Sequence, residues 1–204
     1  IDDPTDYFDT RLYTGTGETV HQITNFSAKP DLLWFKERNS TSTHQVYDTT
    51  RGASKELDTT GNAAEATNGD ALEGFRDYGF QVDNDAGINE KSNTYVVWSW
   101  NANGGTTSSN TSGTITSTVQ ANTTSGFSIV SYVGVGSSTV STIGHSLGAV
   151  PDMIIIKTRS DTESWNVYHQ AMGNTKKLFL DTTGAQADTG NFDDTSPTST
   201  LFTV

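Results

Sequence analysis

The chain has 204 residues, enough for one large β domain or two small ones with a sizeable core. Its 24 acidic against 12 basic side chains give a formal net charge of −12, which repels a phosphate backbone and argues against nucleic-acid binding. There is no cysteine, so disulfide scaffolds, zinc ribbons and thiol nucleophiles are excluded, and no apolar run approaches the roughly 20 residues of a membrane helix. No signal-peptide pattern opens the chain. The expectation is a protein that is soluble alone or once assembled, with no membrane insertion.

In chain order, period-two alternation and β-branched or aromatic enrichment predict strands over Phe8 to Tyr13, Thr19 to Thr24, Leu32 to Glu37, Gln45 to Asp48, Gly79 to Val82 and Thr94 to Trp100. Gly15-Thr16-Gly17, Asn68-Gly69-Asp70 and Asn84-Asp85-Ala86-Gly87 punctuate them as turns. From Asn101 to Ser125 the composition shifts to Gly, Ser, Thr and Asn, which reads as a linker adding at most one edge strand at Thr114 to Val119. Beyond it, strands are predicted over Phe127 to Val133, Ser138 to Ile143, Met153 to Lys157, Trp165 to Tyr168, Lys177 to Leu180 and Leu201 to Val204.

The second set echoes the first. Pro30-Asp31-Leu32-Leu33-Trp34-Phe35-Lys36-Glu37-Arg38 returns as Pro151-Asp152-Met153-Ile154-Ile155-Ile156-Lys157-Thr158-Arg159, 121 positions later. Tyr13-Thr14-Gly15 matches Tyr132-Val133-Gly134, Tyr47 matches Tyr168, Asp58-Thr59-Thr60-Gly61 matches Asp181-Thr182-Thr183-Gly184, and Phe80 matches Phe202. The expectation is an all-β protein of two related antiparallel β-sandwich repeats of jelly-roll or concanavalin-like type, with the second incomplete. The divisions are 1–105 for the first repeat, 106–126 for the linker and 127–204 for the second. Since the second copy stops at Val204, where the first continues through Asp83 to Gly105, the chain reads as a piece of something longer. Trp34/Ile155, Leu32/Met153 and Val46/Val167 keep apolar bulk while changing chemistry, as core positions do. Lys36/Lys157 and Arg38/Arg159 are placed on the solvent face.

Several motifs invite a chemical reading. Gly144-His145-Ser146-Leu147-Gly148 fits the nucleophile-elbow pattern, with Asp161 and His169 in hydrolase order. That chemistry needs a helix right after the serine, yet the segment runs into Ala149-Val150-Pro151 and a β-branched strand, so a turn is the better reading. The loop Asp83 to Glu90 offers calcium-ligand oxygens on Asp83, Asp85 and Asn89, but Gly87 falls where a ligand is needed. An Asx-rich turn is preferred, with calcium as the alternative and no other cofactor implied. The glutamates (Glu18, Glu37, Glu56, Glu65, Glu73, Glu90 and Glu163) show no paired strand arrangement of the glycosidase kind. Trp98 and Trp100 share a strand face with Val96, and core packing is preferred over sugar stacking. His21, His44, His145 and His169 have no metal-ligand spacing. Four glycosylation sequons, at Asn25, Asn39, Asn110 and Asn122, matter only in a eukaryotic host.

Taken together, Tyr13 to Gly17, Lys29 to Asn39, Asp48 to Leu57, Asn93 to Ala102 and the companion Trp165 to His169 and Asn191 to Ser199 are similar to tandem-repeat modules of tail-fibre and other virion proteins of bacteriophages, marine ones especially. The resemblance covers nearly the whole chain. It implies a non-enzymatic virion or extracellular structural protein, partnered by its own copies or other virion proteins, with host-surface glycans as a further partner. It brings no catalytic, metal or ligand residues with it. A secreted bacterial carbohydrate-binding module is the alternative, and an esterase or glycosidase the third reading.

Overall fold

A computed structural model describes residues 3–136, 139–188, 190 and 192–204. After a 3-10 turn at Pro4–Asp6 come β1 (Phe8–Thr14), β2 (His21–Ile23), β3 (Leu32–Glu37), β4 (Gln45–Asp48), β5 (Lys55–Asp58), β6 (Ala66–Thr67), β7 (Leu72–Arg76) and β8 (Gly79–Val82). A single helical turn, α1 (Ala86–Asn89), leads into β9 (Thr94–Trp100). A hairpin and its neighbour follow as β10 (Ser108–Asn110), β11 (Ser117–Asn122) and β12 (Phe127–Tyr132). The rest comprises β13 (Thr142–Gly144), β14 (Met153–Ile156), β15 (Asn166–His169), β16 (Lys176–Phe179), β17 (Ala187–Asp188) and β18 (Leu201–Thr203). The fold is all-β, with antiparallel sheets throughout.

The first half is a two-layer sandwich. One layer is the six-stranded sheet β1-β9-β3-β4-β5-β6, the other the three-stranded sheet β2-β8-β7. Alternation puts Leu33 and Phe35 of β3, Tyr47 of β4 and Val97 of β9 on the inner face. They meet Ile23, Leu72, Phe80 and Val82 of the other layer. Phe80 sits at the centre, its ring 5.2 Å from Phe35, 5.8 Å from Phe26 and 6.1 Å from Tyr13. Gly79 opens β8 at φ 155°, where a Cβ would run into the Ile23 carbonyl.

One buried carboxylate ties the end of β9 to the start of β3. Asp31, fully buried, accepts the backbone N–H of Ala102, Asn103 and Gly104 on Oδ2 at 2.8, 2.9 and 2.8 Å. Its Oδ1 takes the Thr49 hydroxyl at 2.9 Å. Four donors converge on one anion, the arrangement that makes a buried charge tolerable.

In the second half the ladder β14-β15-β16-β17 runs in the same order as β3-β4-β5-β6. Pairs match position by position: Trp34↔Val46 and Ile155↔Val167, Val46↔Leu57 and Val167↔Leu178, Lys55↔Thr67 and Lys176↔Asp188. β13 pairs with β18, Ile143 opposite Phe202, as β2 pairs with β8, Ile23 opposite Phe80. The buried cluster is far smaller, with only Ile115, Ile143 and Phe202 buried among its described residues.

Several expectations need correcting. Leu32, Trp34 and Lys36 share the outer face of β3, so the core positions are Leu33 and Phe35; Val46 and Val167 are buried as expected. Trp98 and Trp100 likewise lie on the outer face of β9, with Tyr95, Val97 and Ser99 inward. A central strand covered on both sides is apolar on both sides, so alternation alone picks the wrong face. The segment taken as a linker carries β10 and β11, and Ser117, Val119 and Gln120 of β11 are buried. Lys157 is half-buried and reaches the Asn62 carbonyl, while Arg159 stays exposed as expected and also pairs with Glu65 of the first half. In the predicted strand Ser138 to Ile143, Ser138 lies outside the described residues and the strand runs Thr142–Gly144.

Candidate functional site

The outer face of the six-stranded sheet and the second half enclose a cleft of about 1850 Å³. That exceeds the usual range of roughly 300 to 1,000 Å³ for a small-molecule site. Leu32, Trp34 and Trp100 line it from the first half, and the whole of β12 and β14 from the second. Six exposed apolar side chains border it: Val133, Val135, Val140, Val150, Met153 and Ile155. They concentrate apolar surface along its edge on a chain of high net charge. Trp34 stands edge-on to Trp98 at 6.3 Å, and its buried indole N–H has no hydrogen-bond partner among the described residues. Trp100 stacks on Phe127 at 6.1 Å and packs against Phe8 at 4.9 Å.

Polar fastenings hold the cleft's walls. Glu65 receives Arg51 Nη1 at 3.1 Å from the first half, and Arg159 Nε and Nη2 at 2.8 and 2.9 Å from the second. Arg51 is itself buried, held by Asp48 at 2.5 Å and by the carbonyls of Val46 and Lys55. The Trp165 indole N–H donates to the Asp58 carbonyl at 2.9 Å, and Gln120 Nε2 donates to the Thr49 and Thr50 hydroxyls at 2.7 Å each. Burial alone would raise the Glu65 pKa, but the hydrogen bonds and charges of Arg159 and Arg51 outweigh it and hold it below its ordinary value of 4.5. A lowered carboxylate pKa contributes stability that is present above the unfolded-state value and lost as pH falls through the folded one. Glu65→Gln is therefore expected to lose about 2 kcal/mol near pH 7, the scale of a charge-assisted hydrogen bond. The gap from wild type should shrink progressively below about pH 4.5, as urea unfolding at pH 7 and pH 3 will show.

The residues singled out in the sequence serve local structure. Ser146 has a left-handed backbone, φ 59°, and its hydroxyl accepts from Asn110 Nδ2 at 2.8 Å. No helix follows it; the chain passes through a bend to β14. Asn25, at the corresponding turn of the first half, has φ 71°, so the same left-handed turn recurs without a serine. His145 is buried between the Thr198 carbonyl and the Leu147 N–H, and burial lowers its pKa. Asp161 accepts from Thr162 N, and His169 caps a 3-10 turn through Nδ1. Ser146, Asp161 and His169 thus have separate partners.

The oxygen-rich loop folds inward. Asp85 caps α1 by accepting the Gly87 N–H at 2.8 Å, and Asp83 Oδ1 accepts from Asn84 N. Asn89, fully buried, donates to the carbonyls of Glu18 and Asp83, while its Oδ1 meets Thr16 N and His21 Nδ1. Among the described residues no three His, Asp or Glu side chains converge on a metal-sized site. Glu37 is buried against Ser42 and Asn93, and Glu56 accepts from Tyr47 and Asn68. Burial, then the Glu56 charge, drives the Tyr47 phenol upward. The sequence offered the cleft's aromatics but nothing that placed them on one wall, since that follows from how the halves dock.

No curated protein and no solved structure matches the chain, and no helix among the described residues is long and apolar enough to cross a membrane. A family described as a domain of unknown function (DUF7483) matches residues 3–204. Spanning nearly every residue of both halves and the meander between them, that match places the chain in the DUF7483 family.

Proposed function

We propose that this protein is a non-enzymatic structural component of a virion, of the tail-fibre type, that assembles with its own copies or other virion proteins and contributes to host-surface attachment. The observation that carries the reading is the character of its large cleft: apolar and edged by strands, with the candidate reactive groups occupied elsewhere by turns and caps. Such a surface suits burial against another polypeptide better than turnover of a small substrate. A strongly acidic, Thr-rich exterior keeps an extracellular particle dispersed. The attachment half rests on the resemblance to tail-fibre modules, where weak glycan contacts multiply through repetition.

The test is immunogold labelling of the source culture with antibodies against the recombinant chain, paired with a glycan array probed by the intact particle. Gold on virus particles and saturable binding to a subset of cell-surface glycans are expected. Gold confined to secreted bacterial material would replace this reading with the carbohydrate-binding module, and a blank array would remove the attachment role.

A further inference from the structure

A single imidazole holds the turn that follows β13. The backbone there is bent against its preference, with Ser146 and Gly148 both left-handed at φ 59° and 71°. A residue with a side chain keeps such a conformation only where neighbouring contacts enforce it. His145 supplies those contacts. Its backbone N–H donates to the Thr200 carbonyl at 3.2 Å, its Nδ1 receives the Leu147 N–H at 3.2 Å, and its Nε2 lies 3.2 Å from the Thr198 carbonyl. A backbone N–H can only donate, so Nδ1 is the acceptor and the proton sits on Nε2, which donates to Thr198. The ring is 2% exposed, and both His145 and Leu147 belong to the wall of the cleft.

This arrangement admits one protonation state. A second proton, on Nδ1, would set donor against donor at Leu147 and leave a cation buried. No charge among the described residues compensates it. β10, β11, β13 and the segment 198–203 carry no titratable side chain. The polar groups they bring to the turn are neutral: the Asn110 amide on Ser146 and the Ser117 hydroxyl on the Gly144 carbonyl. The nearest carboxylates along the chain, Asp152 and Asp194, do not act on the ring; burial lowers its pKa, and the Thr198 carbonyl opposes this only in part. The first half builds the corresponding turn without a titratable group. Phe26 N donates to the Tyr78 carbonyl just before β8, as His145 N donates to Thr200 just before β18, but the Phe26 ring packs on Phe80 at 5.8 Å.

We infer that His145 is an acid-sensitive latch. Neutral, it fastens the 144–148 turn to the segment entering β18; protonated, it releases both, loosening the β13–β18 pair and the cleft wall beside it while the first half stays closed. The direction follows from linkage. A histidine whose folded-state pKa lies below its ordinary 6.5 contributes stability that is complete above that value and is lost as pH falls through it toward the folded-state value. At pH 5.5, one unit below, a single such group shifts the opening equilibrium by at most about tenfold. The latch rests on the geometry of the second half and is independent of the virion reading.

The test compares the whole chain at pH 7.5 and pH 5.5, above the ordinary range of carboxylates. Amide exchange, corrected for its intrinsic pH dependence, is expected to quicken several-fold, up to about tenfold, at 142–148 and 198–203 in the acid sample. The first-half counterparts, 21–27 and 78–82, should be unchanged. His145→Phe, which copies the first half, should remove the acid response. Should phenylalanine not be accommodated, His145→Gln offers a non-titrating side chain that can still accept and donate, with the same expected result. Nitrogen NMR of the wild-type histidines gives a readout free of any substitution: His145 should show the Nε2–H tautomer and a titration midpoint below 6.5. Equal corrected exchange at the two pH values, a folded variant that keeps the full acid response, or a His145 midpoint at or above 6.5 overturns the inference without touching the particle assignment.

Discussion

Asp31→Ala is expected to lower stability by about 4 kcal/mol, because three backbone N–H groups and a hydroxyl lose a buried anionic acceptor together. For a chain of this size that corresponds to a fall of roughly 8 to 16 °C in melting temperature. Asp31→Asn keeps the shape and one acceptor oxygen but not the charge, and should fall between the two. Circular dichroism melts of the three proteins read this directly. Asp31→Ala within a degree or two of wild type would mean that the turn at Ala102 to Gly104 holds without its anchor. Asp152→Ala is the internal control, the same residue type at the matching position with its carboxylate facing solvent.

Phe80→Ala should be comparably damaging, at about 3 to 5 kcal/mol, since it removes a fully buried ring and leaves a void that three neighbouring aromatics cannot close. Phe202→Ala makes the informative contrast. Among the described residues Phe202 has one ring neighbour, Tyr132 at 6.2 Å, and belongs to a cluster with three buried members. Fewer contacts are lost and the surroundings can relax, so about half the cost of Phe80→Ala is expected. Guanidinium unfolding of both variants checks the ratio; equal losses would show that the second half is packed as tightly as the first.

The strands legible in the sequence were those with a strong apolar signature, such as Leu32–Glu37 and Thr94–Trp100. What stayed hidden was the direction each side chain takes. Leu32-Leu33-Trp34-Phe35 is apolar at every position because β3 is covered on both faces, and no period-two pattern distinguishes the face toward Phe80 from the one toward the cleft. The polar strands were hidden for the opposite reason. Lys55–Asp58 buries only Leu57, while Ser117 and Gln120 of β11 tolerate burial through hydrogen bonds to the Gly144 carbonyl and to the hydroxyls of Thr49 and Thr50. Composition reads such a stretch as linker. The cleft was illegible because it depends on docking: Trp34, Trp100 and Phe127 are far apart in sequence, and Glu65 joins Arg51 and Arg159 across the interface. The pairing of Asp31 with Asp152 was legible, but their contrasting environments became visible only in three dimensions.

The interleaving of β9 between β1 and β3 also sets the order of events during synthesis. Phe8 opposes Trp100, so the first sheet cannot close until the ribosome has released residues made more than ninety positions later. Until then the nascent first half exposes two raw edges and a greasy trough. Long-range pairing of this kind folds slowly and leaves such intermediates open to misassembly. Production yield should accordingly respond more to translation speed and temperature than the stability of the finished protein would suggest.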